Sequence, residues 1–438
     1  HFERAEALYL SVQHAEAEKV LGTILSNSTL RGDLAKVHLL KGVLYTNIGQ
    51  LMDAFNACKE GLVLYGIEVP ASVTPEMIGQ GLGEIEALRA GRPIDELTEL
   101  PLLTDPDGYM RTLLLSVIAT PAYFMYNDTI WVWVIMQLVK LSMKDGNSDI
   151  SDLGYSAFGV LVAHGIGDYP NGYAYGKLSV ELNKKFNKVE NRAKVNLIFG
   201  QMISHWRVHY KQSMPLAVEG FQYGQETGDL IYAGYNAYSL MWTHFVIGRP
   251  LQEVAQECQK FRPFFARTRD LLGQGILVLQ RLSEALRGLT TGPTSLENEG
   301  LSEAELTAPI LDYALKLPIH VYYLSKIRLY YLFGESEKAL ELVAPAQAVA
   351  YASTGYVYYS DLNFLHSLVL LDLAAKSDET ERAALLETAT QNQVQMKIWA
   401  DNAPDNFLHK YHLIEAGIKS FQADNRSTSD EYDETIRL

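Results

Sequence analysis

A chain of 438 residues with 48% hydrophobic and 20% charged side chains carries enough apolar surface to fold throughout, which excludes wholesale disorder. Its formal net charge of −15 repels phosphate backbones and anionic headgroups, so no nucleic acid and no membrane is an expected partner. Cys58 and Cys258 lie far apart and outside any CxxC or Cys/His cluster; this argues against a disulfide framework or a zinc knuckle and predicts a reducing, cytoplasmic compartment.

From His1 the chain runs straight into helix-forming sequence with no Met and no signal-peptide pattern, as expected of a piece of a longer protein. Apolar residues then recur at helical spacing almost everywhere, as at Ala339, Leu340, Val343 and Ala344. The most apolar stretch, Ile130 to Val139, is about half as long as a membrane span and is bounded by Asn127, Asp128 and Lys140, which predicts a buried helix. Strand-like alternation is scarce. Tyr356 to Tyr359 is the one candidate, and its place between helical patterns makes it the start of a helix.

Turn positions recur roughly every 40 residues, at Gly49, Gly91, Asn127, Gly167, Gln212, Gly248, Gly288, Gly334 and Ser377. Several are followed by a small residue that opens the next helix, as Ala54 follows Gly49 and Ala339 follows Gly334. A helix pair of this size cannot bury its apolar face alone, so stacked pairs are expected. The fold class predicted is all-α: an α-solenoid of TPR-like helix-turn-helix repeats with a period near 40 residues. An irregular helical bundle is the alternative. Residues 1–438 form a single array, subdivided as 1–100, 101–289 and 304–438, with a flexible low-hydrophobicity loop at 290–303. A second break in the pattern runs from Pro70 to Pro106.

Motifs for chemistry are thin. Gly176-Lys177-Leu178-Ser179 lacks the upstream glycine and adjacent hydroxyl of a phosphate loop, and Gly79, Gly81 and Gly83 fall in a helical pattern where a dinucleotide fingerprint needs a strand. Asp152-Leu153-Gly154 stands without a catalytic-loop His-Arg-Asp, and no Gly-x-Ser-x-Gly is present. No catalytic residue, cofactor or metal site is therefore expected. The sharpest local pattern is Ser204 to Tyr210, where His205 and His209 at i and i+4 share one helix face. With no third ligand in sight, Trp206, Tyr210 and the two histidines read as packing or as a groove-lining contact surface. Around Pro404 a helix ends and restarts, with Asp405 or Asn406 suited to cap it and Trp399 and Phe407 placed to staple the two helices. Tyrosines cluster at Tyr232, Tyr235 and Tyr238, where rings can pack while hydroxyls reach a groove. The candidate groove and interaction residues are His205, Trp206, His209, Tyr210, Tyr232, Tyr235, Trp399, Asn406 and His409.

A series of short motifs carries a family resemblance: Leu102-Leu103-Thr104-Asp105-Pro106, Pro121-Ala122-Tyr123-Phe124, Gly167-Asp168-Tyr169 with Gly172-Tyr173, and His205-Trp206. Gly228-Asp229-Leu230-Ile231-Tyr232, Gly248-Arg249-Pro250-Leu251, Trp399-Ala400 and Asn406-Phe407-Leu408-His409-Lys410 continue it. In this order they resemble the helical middle region of cyanobacterial-type multidomain proteins that join a Ser/Thr kinase, an AAA-like STAND ATPase, a GAF domain and a sensor histidine kinase. The resemblance implies a non-catalytic regulatory scaffold. Its partners would be another protein or the neighbouring ATPase and kinase domains. The alternative it leaves is a sensor that binds a small-molecule metabolite in the concave groove.

Overall fold

The computed structural model describes the chain apart from residues 12, 126–127, 314, 422–431 and 438, so the expected turn at Asn127 lies outside the described residues. Among the described residues the protein is helical with no strand; Leu102 with Asn147 and Asn298 with Leu301 form isolated bridges. It divides into two compact units, His1–Leu161 with Ala174–Asn191, and Val162–Tyr173 with Arg192–Leu438. That division falls neither at residue 100 nor at the 290–303 loop.

The helices of the first unit are α1 (Phe2–Leu10), α2 (His14–Asn27), α3 (Arg31–Asn47), α4 (Leu51–Val63), α5 (Pro75–Arg89), α6 (Pro106–Phe124), α7 (Asp128–Asp145) and α8 (Ser151–Val160). The chain then alternates between units through α9 (Tyr169–Phe186) and α10 (Val189–Leu197). Helices adjacent in sequence pack on one another, α3 on α4 and α6 on α7. Val134, Ile135, Met136, Leu138 and Val139 are all buried, so the apolar stretch is the buried helix expected of it. Gly79, Gly81 and Gly83 lie within α5, capped by the Thr74 hydroxyl with Pro75 in its first turn.

Asp152 closes a polar corner of this unit. Its carboxylate accepts from the Leu153 amide at 2.7 Å, Asn183 Nδ2 at 2.8 Å and Asn191 Nδ2 at 3.0 Å. Burial nevertheless outweighs these donors and pushes its pKa up from 3.8 to about 6. The folded carboxyl thus holds a proton that the unfolded chain releases, and stability falls as pH rises from about 4 to 6 before levelling. In Asp152→Asn that slope should vanish, and urea titrations at pH 4 and 7 should show the variant gaining up to about 3 kcal/mol on the wild type. An unchanged difference between the two pH values would count against a protonated Asp152.

The second unit contains α11 (Met214–Thr227), α12 (Leu230–Val246), α13 (Leu251–Thr268), α14 (Leu272–Ala285), α15 (Glu303–Asp312), α16 (Lys316–Leu332), α17 (Ser336–Glu341), α18 (Val343–Val349), α19 (Tyr359–Ala374), α20 (Glu379–Asn402) and α21 (Pro404–Lys419). Here too neighbours in sequence pair: α11 with α12, α13 with α14, α19 with α20, and α20 with α21.

Six expected turn positions, Gly49, Gly91, Gly167, Gly248, Gly288 and Gly334, have φ between +73° and +85°, the left-handed conformation that ends a helix without a Cβ penalty. Further glycines with positive φ, Gly66, Gly146 and Gly228, fall between them, and Gly355 follows the last. Tyr356 to Tyr358 form the turn that leads into α19. The expected 290–303 loop has no regular secondary structure until Glu303 opens α15, yet it is fastened. Leu296 is fully buried, and Lys326 Nζ reaches from α16 to the Thr294 carbonyl at 2.7 Å and the Glu303 carboxylate at 3.0 Å.

Candidate functional site

The second unit gathers most of the expected site residues around one indole. After α10 the helix widens to a π segment, Ile198–Ile203, and tightens to a 3-10 turn, Ser204–Trp206, before the chain breaks into Arg207 and Val208. A second π segment, Leu161–Ile166, lies beside it through His164, whose Nε2 is 2.8 Å from the Met202 carbonyl. Such widenings re-aim side chains and recur at functional sites.

The break corrects one expectation. His205 belongs to the 3-10 turn, whereas His209 has extended backbone (φ −59°, ψ 139°), caps the next short 3-10 segment and accepts the Lys211 amide at 3.1 Å on Nδ1. The two imidazoles do not share a helix face, because Arg207 and Val208 between them leave the helix. Among the described residues no group of three or more His, Cys, Asp or Glu is placed to hold a metal.

Trp206, only 1% exposed, is stacked on Phe407 (centroids 5.2 Å, interplanar 19°) and Tyr169 (5.7 Å, 28°), with Trp399 at 5.4 Å and His164 edge-on at 5.2 Å. Its Nε1 donates to the Gly355 carbonyl at 3.0 Å, and Trp399 Nε1 donates to the Tyr169 hydroxyl at 3.0 Å. Gly355 is required twice over, by its φ of +88° and by Met202, whose Cβ would lie 3.1 Å from an added Cβ.

Asn406 fastens the broken segment. Its Nδ2 donates to the carbonyls of His205 at 2.6 Å and Val208 at 2.9 Å, and its Oδ1 accepts the Tyr210 amide at 3.2 Å. These are backbone groups that the lost helix leaves without partners. The expectation that Asp405 or Asn406 caps α21 is corrected accordingly: Ala403 is the N-cap, Pro404 occupies the first turn where no amide is needed, and the Asn406 amide is spent across the fold. Trp399 and Phe407 do meet, at 6.1 Å, across the α20–α21 junction. Replacing Asn406 by alanine should destabilise the fold by about 2–4 kcal/mol, since two buried backbone groups and a half-buried one lose their partner. Asn406→Asp should be worse, because a carboxylate would face two carbonyls; equal urea midpoints for the two variants would refute this assignment.

A charged centre adjoins the indole. Asp361, in the first turn of α19, accepts from Arg328 Nη2 at 2.6 Å and Lys410 Nζ at 2.9 Å. Burial would raise its pKa, but Lys410 and Arg328 together hold the carboxyl below its usual value. Nearby imidazoles are driven neutral. Burial lowers His320 to about 4, burial and then Lys410 lower His409 to about 4, and burial carries the wholly enclosed His205 well below 6.5. Among the described residues, both ring nitrogens of His205 and Nε2 of His320 are buried without a hydrogen-bond partner.

His205, Trp206, Tyr210, Trp399 and Asn406 are thus brought together, facing inward in this conformation. His209 and His409 are half-buried. Tyr232 and Tyr235 sit apart on α12, with the Lys194 ammonium 4.6 Å above the Tyr232 ring. Sequence reasoning missed Asp361, Arg328, His320 and Gly355, which are met only across the fold.

No protein-family model matches the chain. Over 151 residues it is 26% identical to hybrid signal transduction histidine kinase G of Dictyostelium discoideum, a match covering 34% of this chain and 4% of that protein. The chain is similar to part of a signal-transduction kinase. No helix among the described residues is long and apolar enough to cross a membrane.

Proposed function

We propose that this chain is a regulatory interaction scaffold of a larger signal-transduction kinase, a TPR-like α-solenoid of cytoplasmic location that performs no chemistry itself. It binds a protein partner or the neighbouring ATPase and kinase domains of its own chain, and so couples sensing to kinase output. The likeness to a hybrid histidine kinase carries this reading, and the consecutive pairing of helices supports it, since such pairs expose faces for partners. Calorimetric titration of the purified chain with recombinant ATPase and kinase domains of the parent protein tests it. Saturable binding that charge reversal on one exposed helix face abolishes is expected; no binding to either domain would defeat the reading.

A metabolite sensor is the second reading, favoured by the ring nitrogens of His205 and His320, beside the Asp361 centre, that no described residue partners. A ligand at about 100 times its dissociation constant would stabilise the fold by roughly 2.7 kcal/mol, so a thermal-shift screen of metabolites and nucleotides distinguishes the two. A concentration-dependent shift in the absence of domain binding would replace the scaffold by the sensor.

A further inference from the structure

A groove of about 400 Å³ runs between α13 and the end of α14, lined by Gln252, Gln256 and Gln259 on one side, Glu284, Arg287 and Asn298 on the other. It exists because the chain does not fold a helix back onto α13 after α14. It runs instead through the fastened 290–303 segment, whose Asn298 is held by its backbone pairing with Leu301 and by accepting the Gly300 amide on Oδ1 at 3.1 Å. The floor is the buried Ala255.

The chemistry of the lining is unusual for this acidic chain. Gln252, Gln256 and Gln259 stand at i, i+4 and i+7 on one stripe of α13, exposed, and no described residue hydrogen-bonds their carboxamides. A primary carboxamide offers one acceptor and two donors, the complement of a peptide group. The helix rise places the three within about 10 Å. An extended chain advances roughly 3.3 Å per residue, so the stripe matches three or four peptide units. Glu284 is already engaged by Arg281 at 2.5 Å and Gln280 at 2.8 Å. Arg287 is exposed and pairs with no described acidic group, which leaves one uncompensated cation at the groove wall.

We propose that this groove binds an extended peptide segment, its backbone held by Gln252, Gln256 and Gln259 and one of its carboxylates by Arg287. The proposal rests on the scaffold reading and supplies the partner chemistry for it. The full chain, labelled with ¹⁵N at glutamine, is titrated with acetyl-Ala-Ala-Ala-Glu-Ala-Ala-amide and with its Glu→Gln and Glu→Lys counterparts; single Gln→Ala variants assign the three side-chain signals. The three signals should move together with the Glu peptide, and the Gln peptide should bind about tenfold more weakly, one charge-assisted contact's worth. Arg287→Glu should invert the preference toward the Lys peptide. Signals that stay still, or that move equally for all three peptides, overturn the proposal.

The triple Gln252→Ala, Gln256→Ala, Gln259→Ala variant separates the two claims, since substitution at these exposed positions should leave the melting temperature unchanged. If it still binds the ATPase or kinase domain with wild-type affinity, the groove is not the docking site and the scaffold reading survives. If the wild type binds the Glu peptide but neither domain, the scaffold as drawn fails and the peptide groove stands.

Discussion

Replacing Trp206 by alanine should lower the unfolding free energy of its unit by about 3–5 kcal/mol, the range for deleting a large buried aromatic side chain. The indole stacks on Phe407 and Tyr169, touches Trp399 and His164, and donates to Gly355, so its loss opens a void where three distant segments meet. At roughly 2–4 °C per kcal/mol for a unit of this size, the melting temperature should drop by about 10 °C. Trp206→Phe keeps most of the stacking and loses the hydrogen bond, leaving the buried Gly355 carbonyl unpaired; a cost of about 1–3 kcal/mol is expected. A thermal melt in which Trp206→Ala unfolds within 2 °C of the wild type, the scale of a sub-kcal/mol change, would remove Trp206 from its place at the centre of the core. The pair also bears on the sensor reading. A metabolite response lost in Trp206→Ala but kept in Trp206→Phe would reflect packing, and loss in both would point to the Nε1 hydrogen bond to Gly355.

The second large effect is expected at Asp361. Removing the carboxylate in Asp361→Ala leaves Arg328 and Lys410, at 16% and 10% side-chain exposure, without their shared partner. Breaking a buried pair in this way costs about 3–5 kcal/mol. Exchanging all three for apolar residues of similar size should recover most of that loss, because the desolvation of three charges disappears with them. The sign of the pH dependence is opposite to that at Asp152. Lys410 and Arg328 outweigh the effect of burial and hold the folded Asp361 carboxyl below 3.8, so its contribution is complete above about pH 4 and is lost as pH falls through the folded value. Equilibrium urea unfolding of wild type and Asp361→Asn between pH 2.5 and 7 should show the acid limb in the wild type and its absence in the variant. Parallel curves would mean that the triad does not govern this limb.

Some of this was open to reading in the sequence. The left-handed turns at Gly49, Gly91, Gly167, Gly248, Gly288 and Gly334 were legible because only glycine takes that backbone conformation cheaply. The burial of Ile130 to Val139 was legible from its apolarity, and Trp399 against Phe407 from their places on either side of Pro404. The supposed shared face of His205 and His209 was misread because no proline or glycine between them marks the break. The signal that ends the helix there comes from Asn406 and Gly355, far along the chain. Asn406 was misread for a related reason: its type suits a cap, and the proximity of Pro404 suggested one, whereas three unpaired backbone groups elsewhere had the stronger claim on its amide.

The sequence by itself determined the helical class, the turns that divide the helices and the identity of the residues worth watching, because periodicity, glycine freedom and composition act over a few residues at a time. Only the tertiary structure decided that His205, Trp206, Tyr210, Trp399 and Asn406 form one inward-facing core beside the Asp361 charges, and that the exposed carboxamides of α13 face a groove. Burial, charge pairing and the satisfaction of backbone groups depend on neighbours from 33 to 201 residues apart, and local pattern carries no record of which distant segment will arrive.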